Sequence, residues 1–158
     1  MAEKRSAAPI LMAEDDADDC MLAKKAMQEN RIANPLTVVS NGEELLEYLQ
    51  HRGKYSDAKK APKPCLVLLD LNMPKMDGRE ALKLIKDDKN LKGIPVVIMT
   101  TSKAEEDILV SYNVGANSYI TKPVTFDGLV KVVKALKDYW LEIVELPSCD
   151  PHGDRPQK

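Results

Sequence analysis

Asp70 stands near the end of the most apolar stretch of the chain, Cys65 to Leu71 (CLVLLDL). A carboxylate there is costly to bury alone, so it is expected to have partners. Candidates sit just after the other apolar runs: Glu14-Asp15-Asp16 closes Pro9 to Ala13, Thr100 closes Ile94 to Met99, and Lys122-Pro123 comes after Ser118 to Thr121. Clustered carboxylates stay ionised most easily around a hard cation. With no histidine or cysteine at these positions, oxygen ligands from Glu14, Asp15 and Asp70 suit Mg²⁺ better than zinc. A carboxylate is also a nucleophile toward phosphorus. The group it would acquire brings about two negative charges and three acceptor oxygens. Mg²⁺, the Lys122 ammonium and the Thr100 hydroxyl are what such a group needs, since phosphoryl transfer depends on positioning and electrostatics.

For these groups to meet, the fold must bring the ends of several strands to one edge. The apolar runs alternate with helical patterns along the whole chain. Ala17 to Asn30 places Cys20, Ala23 and Met27 on one face, with Asp16 as N-cap and Asp19 three residues on, as in a capping box. Pro35 to Val39 is a second strand, and the helix after Ser40-Asn41-Gly42 carries Leu45, Leu46 and Leu49. Gly53 to Pro64 is polar and proline-bearing, and it reads as a long surface connection. Helices are expected over Asp77 to Asn90 and Lys103 to Gly115. Phe126, Leu129, Val133, Leu136, Trp140 and Ile143 recur at three- and four-residue steps and predict a long final helix.

Five such βα units imply an α/β fold with a parallel sheet, right-handed crossovers and helices on both faces. In the flavodoxin-like doubly wound order 2-1-3-4-5, the first and third strands are neighbours, which sets Asp70 across the crevice from Glu14 and Asp15. The domain is expected to span residues 9–146. A flexible arm (1–8) would precede it, and a proline-bearing disordered tail (147–158) would come after it.

Composition narrows the function classes. The length of 158 residues suits one domain. A formal net charge of −2 offers no basic field for nucleic acid, and 4% aromatic content leaves little to stack on bases. The polar start lacks a secretory h-region, and no apolar run approaches a membrane span. Cys20, Cys65 and Cys149 form no CxxC pair and read as reduced thiols of a cytoplasmic protein.

The blocks ILMAEDD, LVLLDLNMPKMDG, PVVIMTTS and ANSYITKP, in this order and spacing, resemble the receiver domains of two-component response regulators. The wording DLNMP, SYNVGANSYITKPV and YWLEIVELP, with the long connection before the third strand, is similar to the phytochrome-associated single-domain response regulators. The resemblance implies Asp70 as phosphoacceptor. Mg²⁺ would be held by Asp15 directly, by Glu14 through water and by the Asn72 backbone carbonyl. Lys122 would bind a phosphoryl oxygen, with a cis bond to Pro123. Thr100 and Tyr119 would form the switch, and Asn72 and Ser102 would flank the path of a hydrolytic water.

The implied partner is a sensor histidine kinase, such as a phytochrome, with output through protein contacts or phosphorelay. No nucleic-acid or membrane partner is implied. An aspartate-nucleophile phosphatase and an unphosphorylated docking pseudo-receiver are the alternatives. The phosphatase would want a second acid two residues after Asp70, where Asn72 stands. Tyr112, Tyr139 and Trp140 either build a homodimer interface with the last strand and helices or pack in the core.

Overall fold

The computed structural model describes residues 9–101, 108 and 113–143. Short apolar runs bounded by turn residues form β1 (Ile10–Ala13), β2 (Leu36–Val39), β3 (Leu66–Leu69), β4 (Val96–Thr100) and β5 (Ser118–Thr121). All pair in parallel, in the order β2-β1-β3-β4-β5. The helices are α1 (Ala17–Glu29), α2 (Gly42–Gln50), α3 (Gly78–Asp87) and α4 (Phe126–Leu136), the last continuing in wider π-type turns over Lys137–Ile143. The expected flavodoxin-like α/β architecture is therefore observed.

The strand sequences lack polar alternation because both sheet faces are covered. Successive strand side chains point to opposite faces. Ile10, Met12, Leu66, Leu68, Val97 and Met99 pack in one layer with residues of α1 and α4. Leu11, Ala13, Val67, Leu69, Val96 and Ile98 pack in the other with residues of α2 and α3. Each large side chain fully buried in these layers contributes about 1.5–3 kcal/mol. Trp140 belongs to the α1/α4 layer, whereas Tyr139 is exposed and meets it edge-on at 5.1 Å. Tyr112 lies outside the described residues.

Several sequence expectations change in detail. The β3 ladder ends at Leu69, so Asp70 is the first residue beyond the strand, its N–H still donating to the Ala13 carbonyl at 3.2 Å. The connection from Gly53 to Pro64 is polar but firmly attached. It opens with a 3₁₀ turn (Gly53–Tyr55) that sets Tyr55 against Tyr48, with ring centroids 5.1 Å apart. Ala61 and Pro64 are buried, the Tyr48 hydroxyl donates to the Pro62 carbonyl at 2.8 Å, and His51 Nε2 bonds the Ala61 carbonyl. Cys65 is buried at the start of β3, at the opposite end of that strand from Asp70. Most of the helix expected over 103–115, together with the 1–8 arm and the 147–158 tail, lies outside the described residues. Among the described residues no helix is long and apolar enough to cross a membrane.

Candidate phosphoacceptor site

The C-terminal edge of the sheet collects the groups singled out by type. β1 runs into Glu14, whose N–H continues the sheet by donating to the Val39 carbonyl at 2.9 Å. Its side chain is 2% exposed, while Asp15 beside it is open to solvent. Asp70 enters from β3 next door, 7% exposed. Oxygens of Glu14, Asp15 and Asp70 lie within 4.8 Å of one another. Three carboxylates at that spacing, with one side open to solvent, are a donor set that fits Mg²⁺.

Thr100, fully buried, ends β4, and its carbonyl accepts the Lys122 N–H at 2.7 Å. That bond aims the lysine back across the edge. Lys122 Nζ lies 2.5 Å from Glu14 Oε1, 2.9 Å from Asp19 Oδ2 and 3.1 Å from Asp70 Oδ2. Burial pushes the Glu14 carboxyl up to about 7, against the pull of Lys122 and with the help of the Asp70 charge. Burial would lower the Lys122 pKa, but hydrogen bonds to Glu14 and Asp19 and the charges of Glu14 and Asp70 hold it above its ordinary value.

The loop after Asp70 is tightly fixed. The Asn72 N–H donates to Asp70 Oδ1 at 3.1 Å, and Asn72 Nδ2 reaches Thr100 Oγ1 at 3.4 Å. The Gly78 N–H donates to the Leu71 carbonyl at 2.9 Å, where α3 starts behind its Asp77 cap. A Cβ at position 78 would fall 2.3 Å from the Asp70 carbonyl oxygen and 2.7 Å from Leu71 Cα. Both neighbours are backbone and cannot swing away. Gly78→Ala is expected to destabilise the protein by about 1–3 kcal/mol, read as a lower urea midpoint.

Glu14, Asp15, Asp70, Asn72, Thr100 and Lys122 thus converge on one crevice. Tyr119 stands apart: it is half-buried and packs against the α2/α3 layer, in register with Ile98. Ser102 lies outside the described residues. The expected cis bond between Lys122 and Pro123 is corrected, because the described residues contain no cis peptide bond. The trans form is the lower-energy isomer by about 0.5–1 kcal/mol, and the long lysine stem reaches all its partners from it.

Asp19 is the rim residue that sequence reasoning assigned to another task. Asp16 does cap α1, accepting from the Asp18 and Asp19 N–H groups, but its own N–H donates to Glu14 Oε2. The Asp19 carboxylate therefore closes no capping box and pairs with Lys122. The available signal was topological. Helices that start at the C-terminal edge of a parallel sheet place their first-turn acids beside the crevice.

A doubly wound sheet carrying this constellation at its edge is the architecture of a phosphorylation-controlled signalling module. The sequence pattern of the response regulator receiver domain matches residues 10–134, and the chain belongs to that family. It is 40% identical over 140 residues to the response regulator Rcp1 of Synechocystis sp., covering 89% of this chain and 93% of that protein. The crystal structure of the phosphorylated cyanobacterial phytochrome response regulator RcpA is similar, with TM-score 0.84 and 40% identity over 90% of this chain and 99% of that one. The Mn²⁺-bound form of Rcp1 superimposes with TM-score 0.81 at 40% identity, covering 89% of this chain and 99% of that one.

Proposed function

We propose that Asp70 accepts a phosphoryl group from the phosphohistidine of a sensor kinase, and that the phosphorylated crevice changes which proteins the domain contacts. The observation that carries this reading is the Lys122 ammonium set 3.1 Å from Asp70 Oδ2, beside a carboxylate pocket shaped for a cation. An Asp70 oxygen attacks phosphorus, the P–N bond of the phosphohistidine breaks, and the leaving imidazole takes up a proton. Lys122 pairs with a phosphoryl oxygen and offsets its charge. Asp15, Asp70 and the Asn72 carbonyl, with Glu14 through water, would hold Mg²⁺, which when bound would neutralise charge on the transferring group.

Thr100 and Tyr119 form the switch. The Thr100 hydroxyl moves toward the phosphoryl group, and Tyr119, half-buried in β5, rotates into the space released. The kinase is phytochrome-linked, a reading supported by the phytochrome association of RcpA. The setting is the cytoplasm, where Cys20 and Cys65 stay reduced. The output passes through protein contacts or onward phosphoryl relay.

The test is incubation of the full chain with acetyl phosphate and Mg²⁺, and separately with autophosphorylated histidine kinases from the same organism. A gain of one phosphoryl group in intact mass, fastest with a red-light-sensing kinase, is the expected result. Steady release of phosphate from small esters without a phosphorylated intermediate would overturn it in favour of a hydrolase.

A further inference from the structure

Lys122 is shared among three carboxylates, and only two of them belong to the cation pocket. Glu14 and Asp70 line that pocket with Asp15. Asp19 is the third partner and lies outside it, 2.9 Å from the ammonium and 38% exposed. We infer that Asp19 is a positioning residue for phosphoryl uptake, a tether that keeps the Lys122 ammonium at the rim when the cation and the phosphoryl group claim its other two partners. The inference rests on the phosphoacceptor reading above and adds a part to it.

Charge and geometry both support the tether. A divalent cation in the pocket draws on Glu14 and Asp70 and repels the ammonium. Once Asp70 is an acyl phosphate its carboxylate charge is gone, and the phosphoryl oxygen that replaces it as a partner has to find the ammonium already in place. Among the described residues, Asp19 is then the acid in contact with Lys122 that neither event consumes. A lysine on a flexible four-carbon stem, released by Glu14 and Asp70, would otherwise wander into solvent and have to be re-ordered at each transfer.

Asp19 is well placed to prevent that. It sits in the first turn of α1, its N–H held by Asp16 Oδ1 at 3.1 Å, and α1 packs against α4. Asp19 and Lys122 also line a cavity of about 90 Å³ with Leu22, Met99, Pro123, Phe126 and Leu129, so the lysine stem has room to move and needs a tether to stay at the rim. The backbone of Lys122 is fixed to Thr100 as well, so only the side chain needs a guide.

The experiment compares the full-length wild type with Asp19→Ala and Asp19→Asn, the second keeping an acceptor oxygen without the charge. Since Asp16 caps α1, neither change removes the cap, and melting curves check that both variants fold. With saturating acetyl phosphate and Mg²⁺, Asp19→Ala is expected to phosphorylate about tenfold more slowly, the loss of one hydrogen bond to a charged group. Asp19→Asn should recover most of the rate. In Mg²⁺-loaded samples without phosphodonor, the Lys122 ammonium should give an NMR signal protected from solvent exchange in the wild type and Asp19→Asn, and lose it in Asp19→Ala.

Equal rates and equal ammonium signals in all three proteins would overturn the tether while leaving the phosphoacceptor reading intact. Faster uptake in both variants would overturn it too, by making Asp19 only a repulsive charge. A wild type that takes up no phosphoryl group would remove the reading beneath it.

Discussion

Asp70→Asn is expected to take up no detectable phosphoryl group from acetyl phosphate or from a histidine kinase, and to do so while fully folded. The substitution keeps the shape of the side chain, and the amide oxygen can still accept the Asn72 N–H that Oδ1 accepts at 3.1 Å. What it removes is the anionic oxygen that attacks phosphorus, for which a neutral amide is no substitute. Loss of fold is not the cause, because the wild-type crevice is overcrowded with negative charge. Glu14 and Asp19 remain on Lys122 in the variant, Asp15 stays beside Glu14, and one source of mutual repulsion is gone. The melting temperature should therefore hold or rise, as expected where a functional site is kept at some cost in stability. Intact mass and a melting curve on the same sample check both halves. Phosphorylation persisting in Asp70→Asn would move the acceptor to Glu14 or Asp15 and sink the assignment of Asp70.

The crevice is legible in the sequence because a parallel α/β sheet has one rule for where chemistry goes. Every strand ends on the same edge, so the residues just past each apolar run are enough to bring Glu14, Asp15, Asp70, Thr100 and Lys122 together. Burial on both faces is legible from the unbroken apolar run of β3 for the same reason. Side-chain pairing is not legible. Asp19 fits a capping-box pattern, and only the three-dimensional path of Lys122 shows that its carboxylate is engaged elsewhere. The Gly53–Pro64 connection misleads in a similar way. Its composition is that of a solvated loop, yet the contacts that fix it are made through a few groups. Tyr55 donates to Glu44 at 2.5 Å, and the Pro62 and Ala61 carbonyls receive Tyr48 and His51. Backbone carbonyls as acceptors leave no trace in residue type.

Removing Lys122 should be the most destabilising single change in the crevice. Lys122→Ala leaves Glu14, 2% exposed, and Asp70, 8% exposed by side chain, facing each other without the ammonium that now touches both. Breaking a fully buried pair from one side costs about 3–5 kcal/mol. Here water reaches the open side at Asp15 and Glu14 can take up a proton, so a loss of about 2–3 kcal/mol is expected, a fall in melting temperature of about 5–10 °C. The loss should depend on pH with a definite sign. Burial holds the folded Glu14 carboxyl at about 7, above its ordinary 4.5. A group raised on folding contributes stability that is fully present below the unfolded value and lost as pH rises through the folded one. The contribution of Glu14 therefore fades between about pH 4.5 and 7 in the wild type. Without Lys122 to pull it down, the Glu14 carboxyl rises further and keeps its proton to higher pH. The deficit of Lys122→Ala should accordingly be small near pH 5 and widest above pH 7, and millimolar Mg²⁺ should narrow it by returning positive charge to the pocket. Urea melts across that range, with and without the cation, provide the measurement. A deficit that grows as the solution is acidified would mean that the lysine is held for reasons other than the buried carboxylates.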